Sequence, residues 1–339
     1  MAAALAFALP DPALEASVAR GLAQVEDRLN QAVAGPEQWV EAAAAHLLRA
    51  GGKRLRPLLT LLASHLGGGV NPAVVDAAAV VELTHLASLY HDDVMDNSPL
   101  RRGSPAAHEV YGPTVAILTG DLLFARASQI VSGLGAEIVR LQAETFERLC
   151  LGQIHETRGP GAGDDPVEFH LGVLADKTGA LIATSARFGA MLGGAPGEVV
   201  EAVTAYAEAL GIAFQLADDI IDLTSPAQVT GKTPGTDLRE GVPTMPGLLV
   251  EAAARRALAE GRADSPDVAL ARAIGGDLSQ DAALAQVVAS LCANPALDQA
   301  RGVARAWADR ALACLAAVPD GPVKTSLAQV ADLFVRRLA

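Results

Sequence analysis

Helical periodicity restricts the possible folds of this chain more than any other feature. Apolar residues recur at steps of three and four through segments such as Ala77 to Tyr90, and almost no stretch alternates in the manner of a strand. Only 4% of the 339 residues are aromatic, so the core must consist largely of Ala, Leu and Val, which favours packed helices over sheets. The sequence therefore predicts an all-α fold.

The charge balance restricts the partners of this chain. Its 26 basic and 39 acidic residues leave a formal net charge of −13, which opposes binding to nucleic-acid phosphates and to anionic membranes. Three cysteines, Cys150, Cys292 and Cys314, lack metal-ligand spacing, and we expect reduced thiols in a cytoplasmic protein. Polar residues such as Glu82 and Arg187 interrupt the apolar runs before they reach spanning length, so we expect no stable membrane insertion.

Clusters of glycine and proline divide the chain into segments of helix length. No internal repeat of fixed period is visible, and charged motifs lie on both sides of the glycine-rich loop at 159–166. We therefore expect a single domain over 1–339. It would comprise an N-terminal helical extension at 1–30, the chemically distinctive motifs within 51–246, and C-terminal helices at 247–339.

Two aspartate clusters share one spacing. Asp92 and Asp96 end an apolar helical run, and Asp218 and Asp222 repeat the pattern, so each pair shares one face of a helix and repels itself. Mg²⁺ would relieve that repulsion, because it prefers carboxylate and water oxygens and completes its shell with substrate phosphates. A solvated acidic helix end explains either cluster alone. Two matching clusters beside apolar faces favour magnesium binding.

Basic residues that could bind phosphate flank these clusters. In the segment Gly51 to Pro57, a glycine pair lets the backbone approach an anion, and Lys53 and Arg56 can converge from the first turn of a helix. Arg101 and Arg102 follow the first aspartate cluster closely enough to reach the same ligand. An ordinary solvated basic turn accounts for each motif separately, and their coincidence favours a phosphate site.

Position singles out one of the seven histidines. His85 lies seven residues before Asp92, which is two helical turns along the same face. A histidine on an apolar face is more often a core residue, but this alignment favours a contact with a ligand. Five others show no comparable alignment and are interpreted as structural; they are His46, His65, His108, His155 and His170.

Taken together, these motifs resemble the trans-isoprenyl diphosphate synthases, or polyprenyl synthetases, of the bacterial long-chain type. In chain order they are Gly51 to Pro57, His85, Asp92 to Asp96 with Arg101 and Arg102, Lys177 with Thr178, and Phe214 to Asp222 followed by Lys232 and Asp237. A lone Asp-Asp-x-x-Asp motif would be shared with terpene cyclases, whereas the joint pattern is specific. The resemblance implies a single-domain helical bundle around a deep central cavity, with the aspartate clusters facing each other across its mouth, and a homodimer.

The resemblance also implies a role for each matched residue. The metal residues would be Asp92, Asp96, Asp218 and Asp222, holding about three Mg²⁺ ions. The allylic diphosphate would be bound by Arg101, Lys177 and Lys232. The diphosphate of isopentenyl diphosphate would be bound by Lys53, Arg56, His85 and Arg102. A second tier would comprise Asp93, Asp219 and Asp237, with Asp219 and Asp222 supporting the allylic diphosphate through water.

The implied reaction is the head-to-tail condensation of isopentenyl diphosphate with an allylic diphosphate. Neutralising the leaving diphosphate lowers the barrier to breaking the allylic carbon–oxygen bond. Lys177, Thr178 and Gln215 would be the catalytic residues, and the oxygens of the latter two would stabilise the allylic cation. The departing diphosphate would take the proton, and water must be excluded.

Two small residues just before the first aspartates bear on product length. In the family that this chain resembles, bulky aromatic residues at the positions of Ala87 and Ser88 are typical of short-chain synthases. Small residues at those positions are typical of long-chain synthases. We therefore expect a product of about six to ten isoprene units, about C30 to C50, for a quinone side chain such as that of menaquinone. Release of so apolar a product would bring the protein into transient contact with a membrane.

Three alternatives stay open at this point. A farnesyl or geranylgeranyl diphosphate synthase could have its cavity floor set by Phe124 or Phe146. A cyclase needs one diphosphate pocket and would leave Lys53, Arg56 and Arg102 without a role. A non-catalytic regulatory subunit of a heteromeric synthase should lose aspartates or cations, whereas both clusters are complete in this chain.

Overall fold

Nearly all regular structure in this chain is helical. The computed structural model describes residues 9–225 and 233–336. Within those ranges, β1 (Leu100–Arg101) and β2 (Ser104–Pro105) form one antiparallel hairpin, in which Arg101 lies opposite Ser104. Every other regular element there is a helix. The prediction of an all-α fold is confirmed.

The helices follow one another with short connections. The first ten are α1 (Pro12–Val33), α2 (Gln38–Ala44), α3 (His46–Arg49), α4 (Leu55–Ser64), α5 (Pro72–Met95), α6 (Ala107–Tyr111), α7 (Pro113–Val131), α8 (Ala136–Arg158), α9 (Pro166–Leu174) and α10 (Ala180–Gly193). The others described are α11 (Gly197–Thr224), α12 (Thr236–Glu240), α13 (Met245–Ala259), α14 (Pro266–Ile274), α15 (Asp281–Cys292), α16 (Pro295–Cys314) and α17 (Pro322–Arg336). Single turns of 3₁₀ helix cover Ser132–Leu134 and Leu315–Ala317, and a π-helical turn covers Ala175–Gly179.

Polar caps followed by proline define where several helices begin. Asp11 accepts a hydrogen bond from the backbone N–H of Leu14 at 2.7 Å, and Asn71 accepts one from Val74 at 3.0 Å. Proline occupies the first helical position after each cap, where its missing N–H is not needed. The first residues of these two helices are therefore specified by the cap and the proline that lie next to them in the sequence.

The helices belong to two compact units. The first comprises residues up to 147, 180–207 and 314–328. The second comprises 148–179, 208–313 and the residues from 329 onward. The first unit therefore contains Asp92 and Asp96, and the second contains Asp218 and Asp222. The expectation of a single domain over 1–339 stays a prediction.

Helix α5 is the centre of the first unit. It is apolar on almost every side and packs against α1, α4, α7 and α10. Helices α4 and α10 also approach each other closely. Gly189 and Gly193 of α10 lie against the backbone of Thr60 and Ser64 in α4, where a Cβ on either glycine would clash. The absence of side chains at these two positions sets the distance between the helices.

The second unit has its own apolar core around α11. Leu174 of α9, Leu216 of α11, Met245 of α13 and Leu297 of α16 are all buried in one cluster, with Trp307 packed against it. A second cluster around Leu223 joins α11 to α13, α14, α15 and α16. The acidic end of α11 is thus anchored on two sides by apolar contacts.

Within residues 9–225 and 233–336, three helical segments are long and apolar enough to cross a membrane by length and composition: Pro72–Met95, Pro113–Leu134 and Gly197–Thr224. The expectation that no apolar stretch reaches spanning length was therefore wrong, because isolated polar residues such as Glu82 are too few to offset their apolar neighbours. Most of the apolar window is buried within the protein in the first and third segments, whereas 39% is buried in the second. Apolarity in α5 and α11 thus serves internal packing.

We expect Gly189→Ala to destabilise the protein by about 1–3 kcal/mol, the usual cost of overpacking. The added methyl group would lie 2.8 Å from the carbonyl carbon of Thr60 and closer still to its oxygen, and backbone cannot yield as a side chain does. Thermal and urea unfolding measure the change. Gly302→Ala, in the interior of α16 with nothing within 4 Å, is the matched control and should stabilise by about 0.4–1 kcal/mol. Equal effects at the two sites would contradict the close α4–α10 approach.

Candidate active site

The first aspartate pair lies at the carboxyl end of α5. Asp92 is half-buried in the last turn, and Asp96 is the residue that caps the helix, with its backbone N–H donating to the carbonyl of Asp92 at 2.8 Å. Asp96 is exposed. The two predicted metal residues therefore lie one helical turn apart, as the spacing indicated.

Asp93, between them, has a different environment. It is fully buried, and its Oδ1 accepts a hydrogen bond from Nε of Arg101 at 2.6 Å and forms an ion pair with Nη2 of the same arginine at 2.5 Å. Arg101 belongs to β1, so the hairpin folds back onto the end of α5. The predicted second-tier residue Asp93 therefore holds Arg101, a predicted ligand of the allylic diphosphate, in a fixed place.

The glycine-rich turn before α4 has an unusual backbone. Gly51, Gly52 and Arg54 all have positive φ, at 88°, 147° and 50°. Arg54 is buried and points inward, with ion pairs to Glu26 at 2.5 Å and to Glu82 at 2.9 Å. Sequence reasoning gave Arg54 no role, because nothing local distinguishes it from its basic neighbours.

The two predicted phosphate-binding residues of this segment occupy different positions. Lys53 is exposed and precedes the helix, whereas Arg56 lies in the first turn of α4 and is half-buried. The expectation that both project from the first helical turn is therefore corrected. The left-handed Arg54 separates the two residues and starts the helix after Lys53.

Arg102, which follows β1 in the hairpin, contacts the same glycine-rich turn. Its guanidinium donates hydrogen bonds to the carbonyls of Gly51 and Leu47. A Cβ on Gly52 would lie 2.8 Å from the guanidinium carbon of Arg102, so this approach requires glycine. The glycine turn therefore contacts Arg102, a residue that the resemblance assigns to the same diphosphate as Lys53 and Arg56.

The electrostatics of this region identify a cluster of positive charge. Burial lowers the pKa of His85 well below its ordinary range, and the charges of Arg56, Arg102 and Arg101 lower it further. Burial also lowers the pKa of Arg56 to about 10, against the attraction of Glu82. The Nε atom of Arg56 is buried without a hydrogen-bond partner among the described residues. We define Arg56, His85 and Arg102 as the basic cluster, and its excess positive charge suits an anion.

In the second unit, Lys177 and Thr178 lie on the π-helical turn Ala175–Gly179. Lys177 forms an ion pair of 2.5 Å with Glu156 of α8. The hydroxyl of Thr178 donates to the side-chain oxygen of Gln215 at 3.3 Å. The structure therefore brings together Thr178 and Gln215, the two residues predicted to stabilise a cation. It also adds Glu156 as a partner of Lys177.

The second aspartate cluster lies near the end of α11. Asp218 and Asp222 are both half-buried. Asp219 is buried; its Oδ2 accepts a hydrogen bond from the backbone N–H of Met245 at 3.0 Å and lies 3.2 Å from Nε2 of His170. Asp219 therefore makes direct contacts within the protein, and the water-mediated role expected for it stays a prediction. It anchors the start of α13, and the structural interpretation of His170 agrees with this contact.

Asp222 makes contacts with the segment that leads into α12. Its carboxylate accepts a hydrogen bond from the backbone N–H of Asp237 at 3.3 Å, and its carbonyl accepts one from Gly235 at 2.9 Å. Asp237, predicted in the second tier, therefore lies next to a predicted metal residue. Lys232, the remaining predicted ligand of the allylic diphosphate, lies outside the described residues.

The donors available for a metal come as pairs of carboxylates. Among the described residues, no three or more His, Cys, Asp or Glu side chains form a group that could hold a metal ion by themselves. Each unit instead offers one aspartate pair at a helix end. Mg²⁺ usually takes one or two protein carboxylates and fills the remaining positions with water and substrate phosphates, so such a donor set fits Mg²⁺.

The residues predicted to control product length lie one to two turns before Asp92. Ala87 is fully buried, and Ser88 is half-buried with its hydroxyl bonded to the carbonyl of His85 at 2.9 Å. The two aromatics of the alternative interpretation, Phe124 and Phe146, contact each other with ring centroids 4.3 Å apart. The two aromatic rings therefore pack against each other.

We expect inorganic diphosphate to raise the pKa of His85, because a bound anion offsets the repulsion from the two arginines of the basic cluster. The complex then takes up a proton that the free protein does not, so affinity rises as the pH falls from about 8 to about 6. Calorimetric titration without metal measures this dependence. Protonation of diphosphate itself is common to wild type and His85→Asn, so the difference between the two proteins isolates the histidine. An identical pH dependence in both would contradict the prediction.

Comparisons with known proteins agree with this arrangement. A family model described as polyprenyl synthetase matches residues 37–270, which include every motif discussed above. Over 331 residues the chain is 42% identical to the nonaprenyl diphosphate synthase of Mycobacterium tuberculosis, covering 97% of this chain and 96% of that protein.

Two solved structures are similar over almost their whole length. One is a geranylgeranyl pyrophosphate synthase from Corynebacterium glutamicum, complexed with calcium and isoprenyl diphosphate, with a TM-score of 0.85, 39% identity, and coverage of 98% of this chain and 99% of that one. The other is a decaprenyl diphosphate synthase from Rhodobacter capsulatus, with a TM-score of 0.85, 33% identity, and coverage of 96% and 99%. The chain therefore belongs to the polyprenyl synthetase family of prenyltransferases.

Proposed function

We propose that this protein is a Mg²⁺-dependent all-trans polyprenyl diphosphate synthase that condenses isopentenyl diphosphate onto an allylic diphosphate. The observation that carries the proposal is the basic cluster, in which Arg56 and Arg102 stand beside a neutral His85 without an ion pair to a carboxylate among the described residues. A prenyltransferase that joins two diphosphate substrates needs such a second anion site in addition to its metal residues. The 42% identity to a nonaprenyl diphosphate synthase supports the same reaction.

In this proposal the basic cluster, with Lys53, binds the diphosphate of isopentenyl diphosphate. Arg101, Lys177 and Lys232 bind the diphosphate of the allylic substrate. Asp93 keeps Arg101 in place through a hydrogen bond and an ion pair. Asp92, Asp96, Asp218 and Asp222 hold the magnesium ions. Bound Mg²⁺ supplies charge neutralisation of the leaving diphosphate. The calcium in the related C. glutamicum structure supports dependence on a divalent cation.

The condensation breaks the allylic carbon–oxygen bond and forms a carbon–carbon bond to isopentenyl diphosphate, and the released diphosphate accepts the proton that is lost. Thr178 donates its own proton to Gln215, so the lone pairs of its hydroxyl stay available to a developing cation. Lys177 is held by Glu156 before substrate binds, and a diphosphate competes with that carboxylate for the ammonium group. Water must be excluded from the reacting carbons, because it would capture the cation.

We propose a long-chain product of about six to ten isoprene units, about C30 to C50, for a quinone side chain. The small size of Ala87 and Ser88 and the identity to a nonaprenyl synthase support it. The second candidate is a shorter-chain synthase. It is favoured by the position of Phe124, whose ring centroid lies 5.8 Å from that of His91 on α5, the helix that carries Ala87 and Ser88.

We also propose a homodimer. Val139, Ala143, Phe146, Cys150 and Ile154 are all exposed and recur at steps of three and four along one face of α8. An apolar stripe of this kind on a protein surface is typical of an interface. Light scattering tests this, and a mass near the 34.7 kDa of one chain would contradict it.

For location we propose the cytoplasm, with transient membrane contact during product release. The unpaired state of Cys150, Cys292 and Cys314 supports a reducing compartment. The apolar segment Pro113–Leu134, only 39% buried, supports contact with lipid. Liposomes should then raise turnover, and a rate that is unaffected by them would count against membrane contact.

The proposed reaction is tested by incubating the purified chain with Mg²⁺, geranylgeranyl diphosphate and labelled isopentenyl diphosphate. We expect condensation in wild type and a loss of at least about a hundredfold in Asp92→Asn and in Asp218→Asn, because each removes a carboxylate charge next to the leaving group. Chelation of the metal should abolish turnover, and added Mg²⁺ should restore it. Asp27→Asn, an exposed aspartate of α1, is the matched control. No condensation by the wild type would support the non-catalytic subunit instead.

Product length separates the two candidate functions. Ser88→Phe and Ala87→Phe should shorten the product, because a ring one turn before Asp92 blocks the growing chain, while condensation itself continues. Chromatography of the dephosphorylated products measures their length. Ala125→Phe, which adds the same bulk at an exposed position of α7, should leave the length unchanged. A wild-type product of three or four units that lengthens in Phe124→Ala would contradict the long-chain proposal and support the aromatic floor.

A further inference from the structure

The π-helical turn at Ala175–Gly179 interrupts an otherwise continuous helical run between Leu174 and Ala180. A π turn is rare and occurs mainly as a single turn within an α-helix, frequently at a functional site. This turn carries both Lys177 and Thr178. A mechanism that uses these two residues requires the turn to keep a single conformation.

Three side chains with no assigned role form a network at this turn, one from the turn itself and two from the helices beside it. Arg148 of α8 donates from Nε to Asp176 of the turn at 2.8 Å and from Nη2 to Glu208 of α11 at 2.7 Å. Nη2 also lies 3.4 Å from the carbonyl of Ala175, the first residue of the turn. One guanidinium therefore connects α8, the π turn and α11. We refer to Arg148, Asp176 and Glu208 as the clamp.

Two glycines let the flanking helices come close to the turn. A Cβ on Gly152 of α8 would lie 2.7 Å from the backbone nitrogen of Lys177. A Cβ on Gly179, at the end of the turn, would lie 3.3 Å from the carbonyl oxygen of Glu208. The backbone of the turn is thus in direct contact with α8, and its last residue with α11.

The clamp and the reactive residues lie on the same helices. On α8, Arg148 precedes Glu156, the partner of Lys177, by about two turns, and on α11 Glu208 precedes Gln215, the partner of Thr178, by about two turns. The three clamp side chains are 28–38% exposed, and ion pairs of that exposure add little to global stability. These ion pairs therefore affect the position of the π turn more than the global stability of the fold.

We propose that Arg148 is a positioning residue for the condensation, which fixes the π turn so that Lys177 meets the leaving diphosphate and Thr178 the developing cation. This inference rests on the proposed function. Arg148 itself touches neither substrate. A misplacement of reacting groups by about 1 Å is enough to slow a reaction by about a hundredfold, so loss of the clamp should be visible in turnover.

Steady-state kinetics of Arg148→Gln test the proposal. We expect kcat to fall by about ten- to a hundredfold and KM for the allylic diphosphate to rise. KM for isopentenyl diphosphate should stay unchanged, because the basic cluster belongs to the first unit and is not altered. Arg148→Lys, which keeps the charge but loses the fork, should recover part of kcat. Arg140→Gln is the matched control, since Arg140 is an exposed arginine of the same helix, paired with Glu144 at 2.6 Å.

A double-mutant cycle separates positioning from a structural role. In a Lys177→Ala, Thr178→Ala background the clamp has nothing left to position, so Arg148→Gln should have no further effect on the residual rate. The same loss in both backgrounds, or wild-type kinetics in Arg148→Gln, would overturn the clamp alone. A wild type without condensation activity would overturn the proposed function and the clamp with it. The two failures are therefore distinguishable.

Discussion

Arg54 determines the charge of the basic cluster, although it binds nothing in the proposed reaction. It turns inward from the glycine turn with a left-handed φ of 50° and pairs with Glu26 and Glu82. Arg54 takes the direct contacts of both carboxylates, so Arg56 and Arg102 form no ion pair among the described residues, although Glu82 still attracts both of them. Breaking a buried ion pair costs about 3–5 kcal/mol. The inward arginine is therefore fixed by the fold, and the excess positive charge around it is fixed as well.

The two aspartate clusters share one arrangement of buried and partly exposed carboxylates. In each, the outer aspartates lie one turn apart, while the residue after the first of them is turned about 100° away and buried. Asp93 then holds Arg101, and Asp219 holds the backbone of Met245. The inner carboxylate ties the helix end to a neighbouring segment, and the outer pair is the one proposed to bind the cation. Repulsion within each pair favours a cation at these helix ends.

Apolar periodicity and residue spacing along the chain were sufficient to predict the all-α fold and the aspartate pairs, whereas the grouping of Arg56, His85 and Arg102 came from the family resemblance. Periodicity and spacing were not sufficient for the inward turn of Arg54, because no local signal distinguishes Arg54 from its basic neighbours. They also missed the π turn, because one extra residue in a single turn shifts the apolar pattern too little to be recognised. The clamp was also missed, since Arg148 meets partners 28 and 60 residues away along the chain. The prediction that no apolar stretch reaches membrane-spanning length was wrong for a different reason. Helices α5 and α11 are apolar along most of their length because each lies at the centre of a hydrophobic core.

The central claim is that an anion belongs in the basic cluster of the first unit. A crystal structure of the protein with isopentenyl diphosphate and a non-ionisable allylic analogue tests it most directly. We predict a diphosphate in contact with Arg56, His85 and Arg102, and Arg54 still paired with Glu82. A complex in which isopentenyl diphosphate is bound elsewhere, with these three side chains untouched, would contradict the account.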